Sequence, residues 1–81
     1  MKLQIVEFIG DKNNQNIQYG TPFLVIGYCG GEWELSKTNW YDVKNDHIII
    51  IAQYENLLAD LSVNDDNFKK YFNHNCYIDY N

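Results

Sequence analysis

The glycine pair Gly30-Gly31, set between Phe23-Leu24-Val25-Ile26-Gly27-Tyr28-Cys29 and Glu32-Trp33-Glu34-Leu35, constrains this chain more than any other feature. A two-residue primed turn needs positive φ at its central positions, which glycine adopts without a Cβ penalty. A turn centred there sets the register outward: Cys29 opposite Glu32, Tyr28 opposite Trp33, Gly27 opposite Glu34, and Ile26 opposite Leu35. Side chains alternate along a strand, so Leu24, Ile26, Tyr28, Trp33 and Leu35 are expected on one face, in the core. Val25, Gly27, Cys29, Glu32 and Glu34 are expected on the other, which its two carboxylates keep at least partly in water.

The remaining segments fill in around this hairpin. Leu3 to Ile9 mixes alternation with β-branched residues, as expected of a strand buried in part on both faces. Gly10 to Asn16 is a polar loop. Ser36 to Asn39 reads as a turn, and Trp40-Tyr41-Asp42-Val43 as a short strand. The run Ile48-Ile49-Ile50-Ile51 favours a central strand over 47–52 followed by a helix over 53–61. The competing reading starts a single helix at an Asp46 cap and runs it to Leu61, with Ile51, Tyr54, Leu58 and Leu61 at helical spacing. Asn64 reads as an N-cap, with Asp65 and Asp66 in the first turn and Val63 and Phe68 spaced as a hydrophobic staple. Phe68, Tyr71 and Phe72 then face the sheet, Asn73 to Asn75 end the helix, and Cys76 to Tyr80 form a last edge strand. The expected fold is a single α+β domain over 1–81, a mostly antiparallel sheet of four to five strands with one or two helices on one face.

Eleven acidic residues against six basic ones give a net charge of −5. All six bases are lysine, so the guanidinium forks that read guanine and phosphate are missing. Direct nucleic-acid binding is therefore disfavoured, because it depends on a concentrated basic surface. An acidic chain is instead drawn to basic surfaces, including the nucleic-acid channels of other proteins. The first residues lack an apolar run of signal-peptide length, and Ile48 to Ala52 falls far short of the ~20 residues of a membrane span. A soluble cytoplasmic protein with free thiols at Cys29 and Cys76 is the expectation.

Motif chemistry is sparse. His74-Asn75-Cys76 with Cys29, His47 and Asp79 supplies metal-ligand types without the paired spacing of a structural zinc site. Cys29 lacks a recognisable base and orienting group for nucleophilic catalysis. Glu32 and Glu34 stand about 7 Å apart by strand geometry, a separation that overlaps glycoside-hydrolase usage, but a domain this small offers no cleft to desolvate them. Gly27-x-x-Gly30-Gly31 belongs to the turn rather than to a phosphate loop. No catalytic residue, cofactor or metal is assigned, and the chain is read as a non-enzyme.

Thirteen aromatic side chains are more than a small core needs. Trp40 and Tyr41 are neighbours, so one of the two rings is expected at the surface, with Tyr77 and Tyr80 next. Tyrosine and tryptophan anchor protein interfaces. The expectation is a non-enzymatic inhibitor that occludes a basic, nucleic-acid-handling site on a larger protein. Trp40, Tyr41 and Asp42 would form the anchor and its flank, with Glu32, Glu34, Asp65 and Asp66 as the electrostatic part. In size and charge the chain resembles the small acidic proteins with which phages and mobile elements disarm host defence nucleases, anti-CRISPR proteins among them. An immunity or antitoxin-type partner of a toxic enzyme uses the same physics. A self-associating subunit pairing through the Cys76–Tyr80 edge is the third reading.

Overall fold

The computed structural model describes residues 2–79. Its elements run β1 (Lys2–Phe8), β2 (Pro22–Cys29), β3 (Glu32–Lys37), α1 (Trp40–Asn45), α2 (His47–Asn56), β4 (Leu61–Asn64), α3 (Asp65–Tyr71) and β5 (Phe72–Asp79). The strands make one sheet in the order β4-β3-β2-β1-β5, and every neighbouring pair is antiparallel. This is the α+β architecture expected from the sequence. Gly30 and Gly31 adopt φ of 61° and 80° and close the β2–β3 hairpin.

The hairpin register holds for three pairs and then slips. Cys29 faces Glu32, Tyr28 faces Trp33 and Gly27 faces Glu34, but Leu35 pairs with Val25, which leaves Ile26 as an extra residue. This is a β-bulge beside a glycine, where a strand bends most readily. The expected face is corrected accordingly. Val25 joins Trp33 and Leu35, while Leu24 and Ile26 turn to the opposite side.

Both sides of the sheet are therefore buried, each by its own cluster. Leu3, Ile5, Leu24 and Ile78 meet Val43 of α1 and Ile50 of α2, with Ile26, Trp40, Ile51, Tyr54 and Cys76 packed around them. Val6, Phe8, Phe23, Leu35 and Phe72 form the second cluster, covered by Phe68 and Tyr71 of α3. Two helices thus lie on one face and a third on the other, in place of the one or two helices expected on a single face. The reason is that both sides of the sheet carry apolar side chains that need cover. Strand β1 serves both, Leu3 and Ile5 on one side and Val6 and Phe8 on the other, as its mixed pattern implies.

Two expected segments change type. Residues 40–43 are helical rather than a strand, because Asn39 is an N-cap: its Oδ1 accepts from the Asp42 amide at 2.8 Å, and its Nδ2 donates to the Asp42 carboxylate at 2.8 Å. Two reciprocal bonds satisfy an otherwise orphaned donor and hold the first turn. The isoleucine run is helical too, against the strand expected over 47–52. As helix it sets Ile50, Ile51 and Tyr54 on one stripe against the sheet, so tertiary packing overrides β propensity. The competing single helix is nearer, but it stops at Asn56, where Leu57 takes a left-handed conformation with φ 51°; Leu61 begins β4 instead. The turn expected at Ser36–Asn39 is shorter, since Ser36 and Lys37 belong to β3.

Helix α3 follows its sequence signals. Asn64 caps it by accepting from the Asn67 amide at 2.8 Å, and Val63 and Phe68 share one cluster as a staple requires. It ends at Tyr71 without a loop, and β5 begins at Phe72, earlier than the expected edge strand. Tyr80, assigned to that strand and to the surface aromatics, lies outside the described residues.

Candidate protein-binding surface

The seven residues singled out from sequence fall into two groups at opposite ends of β3. Glu32 and Glu34 lie near the hairpin tip on the side opposite Trp33, Glu32 exposed and Glu34 half-buried. The Ser62 hydroxyl of β4 lies 2.5 Å from Glu32 Oε2 and 3.2 Å from Glu34 Oε1, and so ties the pair together. On the reverse side of the same tip, Asp65 is engaged within the chain. Its Oδ1 accepts from Trp33 Nε1 at 2.8 Å and its Oδ2 from the Tyr28 hydroxyl at 2.9 Å, while its amide donates to the Gly31 carbonyl. Trp33 in turn stacks on Phe68 at 4.2 Å and 9°. Asp65 thus locks the hairpin to α3, and Asp66 beside it is exposed. The hydrogen bond to Asp65 is the main cause that pushes the Tyr28 phenol above its ordinary value, followed by desolvation and the carboxylate's charge.

Trp40, Tyr41 and Asp42 sit past the other end of β3, roughly 17 Å of strand away, so the seven residues do not form one patch. Trp40 is half-buried: its indole packs on the core and its Nε1 donates to the Gly20 carbonyl at 2.8 Å. Asp42 is occupied with the Asn39 cap. Tyr41 projects into solvent with 70% of its surface accessible. One ring of the pair is exposed, as expected, although helix rather than strand geometry separates them.

Four aliphatic side chains of α2 and the residues just after it are exposed, and sequence reasoning missed them. Ile48 is 80% exposed, Leu58 70%, Leu57 62% and Ile49 44%. Their position follows from the helix. At roughly 100° per residue, Ile50, Ile51 and Tyr54 occupy one side, and Ile48, Ile49 and Ala52 must occupy the other. The signal was present in the isoleucine run, but a strand reading assigned every isoleucine to the interior. Between residues 41 and 60 the chain carries four carboxylates, Asp42, Asp46, Glu55 and Asp60, and a single lysine, Lys44. The segment that bears these side chains is therefore net acidic.

Beside it runs a cleft of about 320 Å³ between α2 and the 57–60 segment, walled by Ile49, Ala52 and Leu58. Asp60 anchors that segment, since its amide donates to the Leu35 carbonyl at 2.9 Å and its Oδ2 accepts from the Lys37 amide at 2.7 Å. A second cleft of about 500 Å³ at the far end of the sheet is bordered by Glu7, Lys37, Thr38 and Trp40. Neither is lined by Cys29, Glu32 or Glu34.

The other chemistry-bearing residues are dispersed. His74 and Cys76 face opposite sides of β5, because Asn75 is an extra residue between the pairs Val6–His74 and Ile5–Cys76. His74 Nδ1 lies 3.1 Å from the Gln4 amide, and its ring rests 4.6 Å from Tyr77. Cys29 is exposed at the hairpin tip, whereas burial pushes the Cys76 thiol up, partly offset by the Lys44 charge. Among the described residues, no three His, Cys, Asp or Glu side chains gather as a metal site, and no helix is long and apolar enough to cross a membrane. No protein-family model, curated protein or solved structure gives a significant match to this chain.

Proposed function

We propose that this protein is a non-enzymatic binding protein that occludes a basic, nucleic-acid-handling site on a larger protein. The observation that carries this reading is the outward side of α2 and the residues after it: Ile48, Leu57 and Leu58 are more than half exposed in a domain whose other aliphatic side chains mostly line two cores. Monomeric proteins seldom leave large apolar patches uncovered unless something docks there. The surrounding carboxylates would steer the encounter with a cationic surface, and the aliphatic side chains with Tyr41 would supply the affinity. Glu32 and Glu34 on one side of the hairpin tip and Asp66 on the other would add to long-range steering.

Tagged wild-type protein and an Ile48→Asp variant, applied in parallel to a lysate, test this reading. Ile48 lies outside both cores, so the variant should fold. Burying an isoleucine is worth about 1.5–3 kcal/mol, so the variant should bind the captured protein about 10–100-fold more weakly. Equal capture by both proteins would remove α2 from the interface.

The open edge of β5 supports a second reading, self-association. This eight-residue strand pairs with β1 on one side only and contains neither Lys nor Pro, the residues that commonly blunt an edge. Light scattering across a concentration series distinguishes a dimer from a monomer, and loss of dimer on substituting Tyr77 by Pro would place the contact on β5.

A further inference from the structure

The cleft between α2 and the 57–60 segment offers mainly hydrogen-bond acceptors. Gln53 spends its amide nitrogen on the Lys37 carbonyl at 2.8 Å and on Ser36 Oγ at 3.4 Å. Its Oε1 is buried and has no hydrogen-bond partner. Asn56 turns its Nδ2 to the Ala52 carbonyl at 2.8 Å, which leaves Oδ1 as its other polar atom. Asp60 commits Oδ2 to the Lys37 amide and makes no ion pair with any described lysine. These groups border the apolar wall of Ile49, Ala52 and Leu58.

An apolar channel ending in carbonyl oxygens and a carboxylate selects a long aliphatic stem with a head that only donates. Water fills such a cleft poorly along its apolar length, and an acidic or amide side chain would leave its own acceptors facing those of the cleft. Among side chains, arginine fits best: its methylene stem lies along apolar surface, and its planar fork addresses two acceptors at once. We infer that this cleft receives an arginine side chain projecting from the basic surface of the protein's partner. The stem packs on Ile49, Ala52 and Leu58, and the guanidinium bridges the Asp60 carboxylate and the Asn56 side-chain carbonyl. The inference rests on the proposed docking role of the α2 surface and specifies the chemistry of its occupant.

The test is an amide-detected NMR titration of the full chain with N-acetyl-arginine methylamide, beside the same probe built on citrulline, which keeps the shape and loses the charge. The arginine probe should shift Ala52, Gln53 and Leu58 and bind about tenfold more tightly than citrulline, as expected when a charge-assisted bond replaces a neutral one. This comparison uses only wild-type protein and needs no variant to fold. Asp60→Asn, with its fold confirmed by its amide spectrum, should erase most of the difference. Equal responses to the two probes, shifts centred elsewhere, or no shifts up to the solubility of the arginine probe would each overturn the assignment. Ile48 does not line the cleft, so Ile48→Asp should weaken partner capture and leave arginine binding unchanged. Retained arginine binding with unaffected capture would instead refute the docking role alone.

Discussion

Asp65 is the residue whose removal tests the packing account most sharply. Its carboxylate accepts from the partly buried Trp33 indole at 2.8 Å and stands in the first turn of α3. A hydrogen bond to a charged acceptor contributes about 1.5–3 kcal/mol, and a carboxylate at a helix N-terminus about 0.3–1 kcal/mol. Asp65 is partly exposed, so the lower part of these ranges applies, and Asp65→Ala should cost about 2 kcal/mol. In a domain of this length that lowers the melting temperature by about 8–16 °C. Asp66→Ala is the matched control, since Asp66 occupies the same turn, carries the same charge and is exposed. It loses the dipole contribution alone, below about 1 kcal/mol. Thermal unfolding followed by circular dichroism measures both, and tryptophan fluorescence reports the freed Trp33. Equal melting temperatures for the two variants would refute the claim that Asp65 locks the hairpin to α3.

Further expectations concern neighbouring sites. Trp40→Ala should destabilise by about 2–3 kcal/mol in urea unfolding, through lost packing and the lost bond to Gly20, while Tyr41→Ala should stay within about 0.5 kcal/mol of wild type. If instead Tyr41→Ala proves the more destabilising, their structural and surface roles are reversed. Tyr28 has a raised phenol pKa, so the folded state holds that proton more tightly than the unfolded chain. Its stabilising contribution is complete below the ordinary tyrosine range and is lost as pH rises through about 10 and beyond. The stability advantage of wild type over Tyr28→Phe should therefore shrink in alkaline urea titrations, and an advantage that grew with pH would contradict this sign. A thiol-reactive dye at mildly alkaline pH should label exposed Cys29 well before Cys76, whose thiol is raised by burial; peptide mapping of the first-labelled site decides.

What the sequence disclosed was local. Gly30-Gly31 defined a turn through backbone sterics alone, and Asn64 with Val63 and Phe68 defined a helix start through neighbours within five residues. What it concealed depends on packing between distant segments. The Ile26 bulge changes which side chains face each core, and it arises because both sides of the sheet must be filled. The isoleucine run has strong strand propensity, yet the sheet is completed by β1, β4 and β5, so the run serves better as a covering helix. Four-residue β4 carries too short a pattern to stand out, and it exists because β3 offers it an edge. The candidate surface shares this fate. Glu32 and Glu34 were legible from alternation, and the exposure of Tyr41 from the two adjacent rings. Ile48, Leu57 and Leu58 stayed hidden because their exposure requires α2 to be a helix that ends at Asn56.

The central claim is that the α2 surface occupies a basic site which otherwise holds nucleic acid. The most direct measurement immobilises this protein, loads the partner it captures, and challenges the complex with a short DNA duplex and with an RNA of equal length. The expected result is release of the partner at nucleic-acid concentrations near its own affinity for that ligand, together with loss of loading on Ile48→Asp. A complex that persists under saturating nucleic acid, with the partner binding both ligands at once, would contradict occlusion.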